Sequence, residues 1–399
     1  MRTRLAVVLI AVVVSCGGEL SSSKDELQVN RITADSEGHF HMNVCAEVAE
    51  GFAHCHAHVR VDGATAKPLA TAGPTGYNPA DLKSAYKLPA GSTTATVAIV
   101  DAMDDPNAEA DLAHYRAQFG LPACTTANGC FKKVGQTGGA VPASDAGWAE
   151  EISLDLDMVS AICPTCHILL VEATSASIAN LGAAVNFAAS QPGVVAISNS
   201  YGGSEYAAET TDSTNFYNHP GKAITVSSGD GGFGVEFPAA SQFVTAVGGT
   251  TLTKNTTARG FTETVWSGAG SGCSARIAKP SWQHDTGCTR RTVADVAAVA
   301  NPSTGVSVYD TFGITGGGGW LVFGGTSVAS PIIASVYALA GNATTVVQGS
   351  FPYAHTASLF DVTSGKNTNR KCSPAYLCTG EVGYDGPTGN GTPNGTGGF

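Results

Sequence analysis

Short runs of β-branched residues alternate with helix-length stretches along most of this chain, and that alternation constrains its fold more than any other feature. Residues 96–101, 167–171, 194–198, 223–227 and 243–247 are apolar, Val- and Ile-rich, and too short for helices. Residues 108–119, 148–161, 177–189 and 327–340 read as helices between or after them. Strands apolar on every residue must be covered on both faces, and parallel neighbours need helical crossovers. The expected fold is therefore α/β, a doubly wound, mostly parallel sheet with helices on both faces. Functional groups should gather at the carboxyl ends of its strands.

The first sixteen residues look different. Arg2 and Arg4 precede a ten-residue apolar run, 5–14, which is right for an export signal and too short to span a bilayer. Val14-Ser15-Cys16-Gly17 then resembles a lipoprotein cleavage box, so a lipid on Cys16 is the one membrane contact expected. The expected organisation is a signal peptide at 1–16, then a tether, a small Cys/His-rich segment and a linker over 17–75, and a large domain over 76–399. Setting Cys16 aside leaves ten of the eleven cysteines, in close pairs: 45 with 55, 124 with 130, 163 with 166, 273 with 288 and 372 with 378. Short-loop disulfides in an oxidising, extracytoplasmic compartment account for them. The formal charge is −11 and no Lys/Arg cluster is present, which excludes a phosphate-binding surface for nucleic acid. A monomer is expected.

Candidate chemistry begins at Gly324-Gly325-Thr326-Ser327. Small residues permit a tight turn that sets Ser327 at a helix N-terminus, where backbone N–H groups stabilise developing negative charge. A serine nucleophile needs a base. Asp101 after the first strand has no matching His, so an Asp-His-Ser arrangement does not follow. Glu151 and Asp155 instead lie at i and i+4 on the helix 148–161 and project from one face. Two adjacent carboxyls push one pKa up and can share a proton. Asp230, in a Gly-rich turn just past the strand 223–227, stands where an oxyanion-stabilising side chain would sit, provided it is protonated.

Glu151-x-x-x-Asp155, Ser228-Gly229-Asp230 and Gly325-Thr326-Ser327-x-x-x-Pro331 together resemble the sedolisins, serine-carboxyl peptidases with a subtilisin-like fold. Residues 199–203, 237–241 and 245–250 resemble the same family, over more than three quarters of the chain. The resemblance implies an endopeptidase acting on polypeptides. Ser327 attacks the scissile carbonyl, Glu151 is base and then acid, Asp155 orients it, and Asp230 stabilises the oxyanion. It also implies one calcium ion held by Asp361, Val362, Glu381, Gly383 and Asp385, of which Glu381 departs from the Gly common in the family. Activity should peak in acid, below about pH 6, because a carboxylate base still accepts protons where His is lost.

Other readings compete. A catalytically silent binding protein on the same scaffold would fit a broken set of catalytic residues. Cys163-Pro164-Thr165-Cys166-His167 has the spacing of covalent haem attachment, with a local disulfide as the simpler reading. His39, His41, His54, His56 and His58 make a metal site conceivable, but they fit no defined ligand spacing, so exposed histidines on a disulfide-closed loop are expected. The stretch before residue 76 is too short for the long propeptide usual among sedolisins.

Overall fold

The computed structural model describes residues 32–34, 38–314, 317–368 and 371–399. Strands β1 (Ile32–Ala34), β2 (Phe40–Asn43), β3 (His54–Cys55) and β4 (His58–Val61) precede helix α1 (Pro79–Ala85). The alternating core follows: β5 (Thr96–Ala102), α2 (Ala108–Gln118), β6 (Phe131–Gly135), α3 (Ala146–Ile162), β7 (His167–Ala173), α4 (Ile178–Ser190) and β8 (Val194–Asn199). Next come β9 (Tyr201–Ser204), α5 (Glu209–Tyr217), β10 (Ala223–Ser227), β11 (Glu236–Phe237), β12 (Thr245–Lys254) and β13 (Phe261–Val265). β14 (Gly272–Ala278), β15 (Arg290–Val293), β16 (Val296–Val299), β17 (Val306–Asp310) and β18 (Gly319–Gly324) lead into α6 (Thr326–Ala340).

The main sheet has the order β13-β12-β10-β8-β5-β7-β6, with β16 also pairing β12. Every pairing in it is parallel except β12 with β13. This is the expected α/β sheet. The run read at 243–247 begins as a strand only at Thr245 and continues to Lys254. A second, antiparallel sheet of order β1-β2-β4-β18-β17 joins the N-terminal segment to the strand that feeds α6. The stretch 61–75 is tied to it by bridges from Val61 to Pro68 and from Thr71 to Trp320.

All five expected disulfides form, each between the cysteines nearest in sequence. The Cys163–Cys166 bond uses both thiols that a covalent haem would need, which removes that reading. Among the described residues no helix is long and apolar enough to cross a membrane. Residues 1–16, including Cys16, lie outside the described part of the chain.

Helix α3 starts cleanly because Asp145 caps it, its side chain accepting the Trp148 N–H at 3.1 Å. From Trp148 to Ile162 every residue is buried, so this is a core helix and not an amphipathic surface one. Its acids are buried with it. Nearby, burial pushes Asp101 up to about 8 and Asp310 up to about 7. Burial outweighs the nearby Lys133 and pushes Glu172 up to about 9. One buried ion pair is fully made: Arg291 grips Asp295 with two hydrogen bonds of 2.7 and 2.5 Å. Asp295 also accepts from Ala246 N–H and Tyr353 OH, which ties β12 and the chain around residue 353 to the same carboxylate.

Two outcomes follow from these buried charges. Asp295→Ala strands the Arg291 guanidinium in the core and should cost about 3–5 kcal/mol in denaturant unfolding. A loss under about 1 kcal/mol would show that the site is hydrated. The second outcome concerns pH. Asp101, Asp310 and Glu172 keep protons in the folded chain that the unfolded chain releases near pH 4. The folded state therefore binds more protons between about pH 5 and 8, and stability falls as pH rises through that window. Thermal melting should show Tm declining from pH 5 to 8, and Asp101→Asn, neutral throughout, should flatten part of the decline. A Tm that climbs over this range would contradict the protonated assignment.

Candidate active site

Ser327 is the second residue of α6, and the turn before it leaves no freedom in residue type. Gly325 has φ of 96°, in the left-handed region that a side chain disfavours. A Cβ there would lie 1.9 Å from the His56 carbonyl oxygen and 2.7 Å from Asp230 Oδ2. Ser327 Oγ donates to Glu151 Oε2 at 2.9 Å, and the Ser200 carbonyl oxygen lies 3.2 Å away. Because α6 begins at Thr326, Pro331 sits in its second turn. Having no N–H, it leaves the Ser327 carbonyl free of its helical partner. The Ser200 hydroxyl lies 3.4 Å from that carbonyl.

Glu151 and Asp155 point together from α3, both fully buried, as their i, i+4 spacing predicts. Burial first, then the charges of Asp155 and Asp101, push Glu151 well above the usual carboxylate range; the Ser327 hydrogen bond opposes this. Asp155 is raised by burial and by Asp101. Glu151 Oε1 receives no hydrogen bond from any donor, so a proton held between the two carboxyls is what this geometry lacks. Asp155 is fixed by the Ser200 hydroxyl, 2.8 Å from each of its oxygens. Ser200 was not singled out from sequence. It lies immediately after β8, within the stretch 199–203 that resembles the family, and no role was assigned to it there. Asp101, which sequence left without a partner, is a third buried carboxyl beside this pair. Asp157 faces elsewhere and accepts the Tyr309 N–H.

Asp230 faces the start of α6, but as an acceptor. Its Oδ1 takes the Thr326 N–H and hydroxyl, each at 2.8 Å, and its Oδ2 lies 3.2 Å from His58 Nε2. Burial alone would push this carboxyl up. The hydrogen bond and charge of His58, with His56 and the Thr326 N–H, outweigh it and hold Asp230 below its usual value. The carboxyl is therefore ionised here, not in the protonated form that donates to an oxyanion.

The cause is the Cys/His-rich segment, which runs through the site. β3 pairs antiparallel with β9, His54 opposite Gly202 and Cys55 opposite Tyr201. His56 N–H then donates to the Ser200 carbonyl at 3.2 Å, and the His56 carbonyl accepts the Ser327 N–H at 3.3 Å. Beyond Ala57, β4 pairs with β18, His58 opposite Gly324. An extended piece of the chain thus crosses Ser327 from one edge strand to another. The expectation of exposed histidines fails: His41, His56 and His58 are buried, because β2, β4 and the stretch between β3 and β4 pack against the strands around Ser327.

Farther off, Asp361 Oδ2 accepts Gly383 N–H at 2.8 Å. The buried Asp385 accepts from Thr388 N–H at 2.9 Å and Glu381 N–H at 3.3 Å. Asp361 adds its charge to the burial that pushes Asp385 up to about 8. Two carboxyls close enough to repel one another offer oxygen ligands of the kind a hard divalent cation takes, and in this form main-chain N–H groups satisfy them.

No family model matches the sequence. Kumamolisin of Bacillus sp. (strain MN-32) is 28% identical over 388 residues, covering 86% of this chain and 66% of that protein. Sedolisin of Pseudomonas sp. (strain 101) is 34% identical over 206 residues, covering 43% of this chain and 33% of that protein. The chain thus spans two thirds or less of the length of these relatives. The solved structure of Pseudomonas sedolisin, a serine-carboxyl proteinase complexed with two molecules of pseudo-iodotyrostatin, superposes with a TM-score of 0.66 at 26% identity. That match covers 81% of this chain and 96% of the other. By these matches the chain is similar to kumamolisin and sedolisin, and it carries the subtilisin-like fold of the sedolisin structure.

Proposed function

We propose that this protein is a serine-carboxyl endopeptidase that cuts extended polypeptides through an acyl-enzyme on Ser327. The observation that carries this reading is the chain's own backbone lying across Ser327, with the His56 carbonyl on the Ser327 N–H. A groove that accepts main chain between β9 and β18 accepts a substrate strand in the same way. The His56 carbonyl meets the Ser327 N–H where a substrate carbonyl would meet it, so the groove is self-occupied.

The chemistry follows from the geometry. Ser327 Oγ attacks the carbonyl carbon while its proton passes to Glu151 Oε2. The tetrahedral oxyanion is held by the Ser327 N–H and by protonated Asp230. Glu151 then gives its proton to the departing amine as the C–N bond breaks, leaving the acyl ester. Water, deprotonated by Glu151, attacks that ester, and the proton returns to Ser327 Oγ. Asp155, fixed by Ser200, shares the proton of Glu151 and orients it. Once His58 and His56 leave the groove, burial is the dominant influence on Asp230 and favours its protonated form.

Five disulfides support an extracytoplasmic location. We place secretion by the 1–16 signal, or retention by a lipid on Cys16, in the same reading. A calcium ion would be held by Asp361, Asp385 and the carbonyls of Val362, Glu381 and Gly383. Its contribution would be structural, tying the chain near 361 to the loop at 381–385.

Hydrolysis of an unfolded protein should be abolished by Ser327→Ala. The kcat/KM profile should be bell-shaped with its maximum in acid. Its acid limb reports the coupled Glu151–Asp155 pair as a unit, and its alkaline limb reports loss of the Asp230 proton. Asp230→Asn, a donor at every pH, should flatten the alkaline limb even if the maximum drops. A wild-type rate that climbs steadily through pH 8 would show that the base is wrongly assigned. For calcium, removing the ion with a calcium-selective chelator should lower Tm, because a ligand bound only to the native state stabilises it. An unchanged Tm, with calcium absent from the purified protein, would remove the site.

A further inference from the structure

His54, His56 and His58 alternate along extended backbone, so their side chains leave the same face, while Cys55 leaves the other and bonds Cys45. That face meets Glu236 on β11. His56 Nε2 is 2.9 Å and His54 Nε2 is 3.8 Å from the same oxygen, Glu236 Oε2. Glu47 Oε2 stands 4.0 Å from His54 Nε2 on the solvent side. The ligand-type atoms of His54, His56 and Glu236 all lie within 4.8 Å of one another.

The outer nitrogens of both rings are already committed. His54 Nδ1 is 3.2 Å from the Cys55 carbonyl, which can only accept. His56 Nδ1 is 2.7 Å from Ser227 Oγ, whose own proton is directed to the Asn199 carbonyl. Each Nδ1 therefore donates outward, and His56 Nε2 donates to the Glu236 carboxylate at 2.9 Å, a proton that a bound metal ion would displace. Outward Nδ1 donors that leave Nε2 facing a carboxylate are the outer-shell pattern of metal-bound histidine, the ion taking the place of the Nε2 proton. Tetrahedral zinc, with bonds of about 2.0–2.1 Å, sets its ligands roughly 3.3 Å apart, and the separations here bracket that value. Gly202 keeps the space open, since a Cβ there would come within 2.7 Å of both Glu236 Oε2 and His56 Cε1.

We propose that His54, His56 and Glu236, with Glu47 as fourth ligand, form a binding site for a zinc-type divalent cation. Two imidazoles and two carboxylates favour a borderline transition metal over calcium. Three of the ligands belong to the segment in the groove and one to the catalytic body. Binding the ion and keeping the groove filled are then one event, and this consequence rests on the peptidase reading above. A cation that binds only the filled form stabilises that form by mass action.

The test uses the whole protein, first stripped of metal by dialysis. Zn2+ titration by calorimetry should show one ion bound per chain, and Co2+ in its place should give the visible absorption of tetrahedral coordination. His54→Ala and Glu236→Gln should each weaken Zn2+ binding by at least the order of 100-fold that losing an outer-shell partner can cost. Glu47→Gln, at an exposed position, should fold normally and weaken it less, which guards against misfolding of the other two. Zn2+ should also raise the Tm of the wild type and not of His54→Ala. No Zn2+ binding by the folded wild type, or equal binding by all three variants, would overturn the site. A transition-metal chelator that spares calcium should speed cleavage of a short peptide. Zn2+ bound by a chain that cleaves nothing would keep the site and overturn the peptidase reading.

Discussion

The rest of the structure is arranged around one constraint: Glu151 and Asp155 are carboxyls with no access to water. Two such groups side by side cannot both be ionised in a low-dielectric interior. At least one proton must stay, and the neighbours decide where it goes. Ser200 gives its hydroxyl proton to Asp155, and Ser327 gives its own to Glu151. The remaining Glu151 oxygen is left for the partner carboxyl. Asp101 enforces the arrangement from β5, because its charge, when present, would raise both members of the pair. A helix that must be apolar all round and yet carry these acids explains why α3 is sandwiched in the core and not laid on the surface.

The same burial links the N-terminal segment to the chemistry. Groups that would serve a substrate strand, the Ser200 carbonyl and the Ser327 N–H, are satisfied by His56. His58, with His56 and the Thr326 N–H, holds the Asp230 carboxyl below its usual value against its burial. One extended stretch therefore fills the groove and, on the proposed reading, keeps Asp230 from serving an oxyanion. The Cys45–Cys55 bond closes a short loop around it, which limits the unfolded conformations available to the segment.

What the sequence made legible was local. The i, i+4 acids, the Gly turn before Ser327, the strand-end Asp230 and the disulfide pairs all lie within a few residues of the signals that betray them. What it hid was non-local. β3 is two residues long and has no hydrophobic pattern; it exists because β9 offers an open edge some 150 residues later in the chain. The burial of His56 and His58 follows from that pairing and from Glu236 and Asp230, so no spacing rule could reveal it. Ser200 was missed because a serine after a strand is ordinary until Asp155 is seen beside it.

The segment's hold on the groove does not depend on many contacts. It is joined covalently to the body it occupies, so its local concentration is of the millimolar order typical of short tethers, or higher where the disulfide restricts it. A free peptide making the same main-chain hydrogen bonds must overcome that concentration before it reaches Ser327. The backbone pairings with β9 and β18 are shared by any extended strand and cannot discriminate between the segment and a substrate. Discrimination must come from side chains, and here the side chains are His54, His56 and His58, facing Glu236 and Asp230. Whatever neutralises or removes those carboxylate partners therefore weakens the occupant without weakening the groove's affinity for polypeptide backbone.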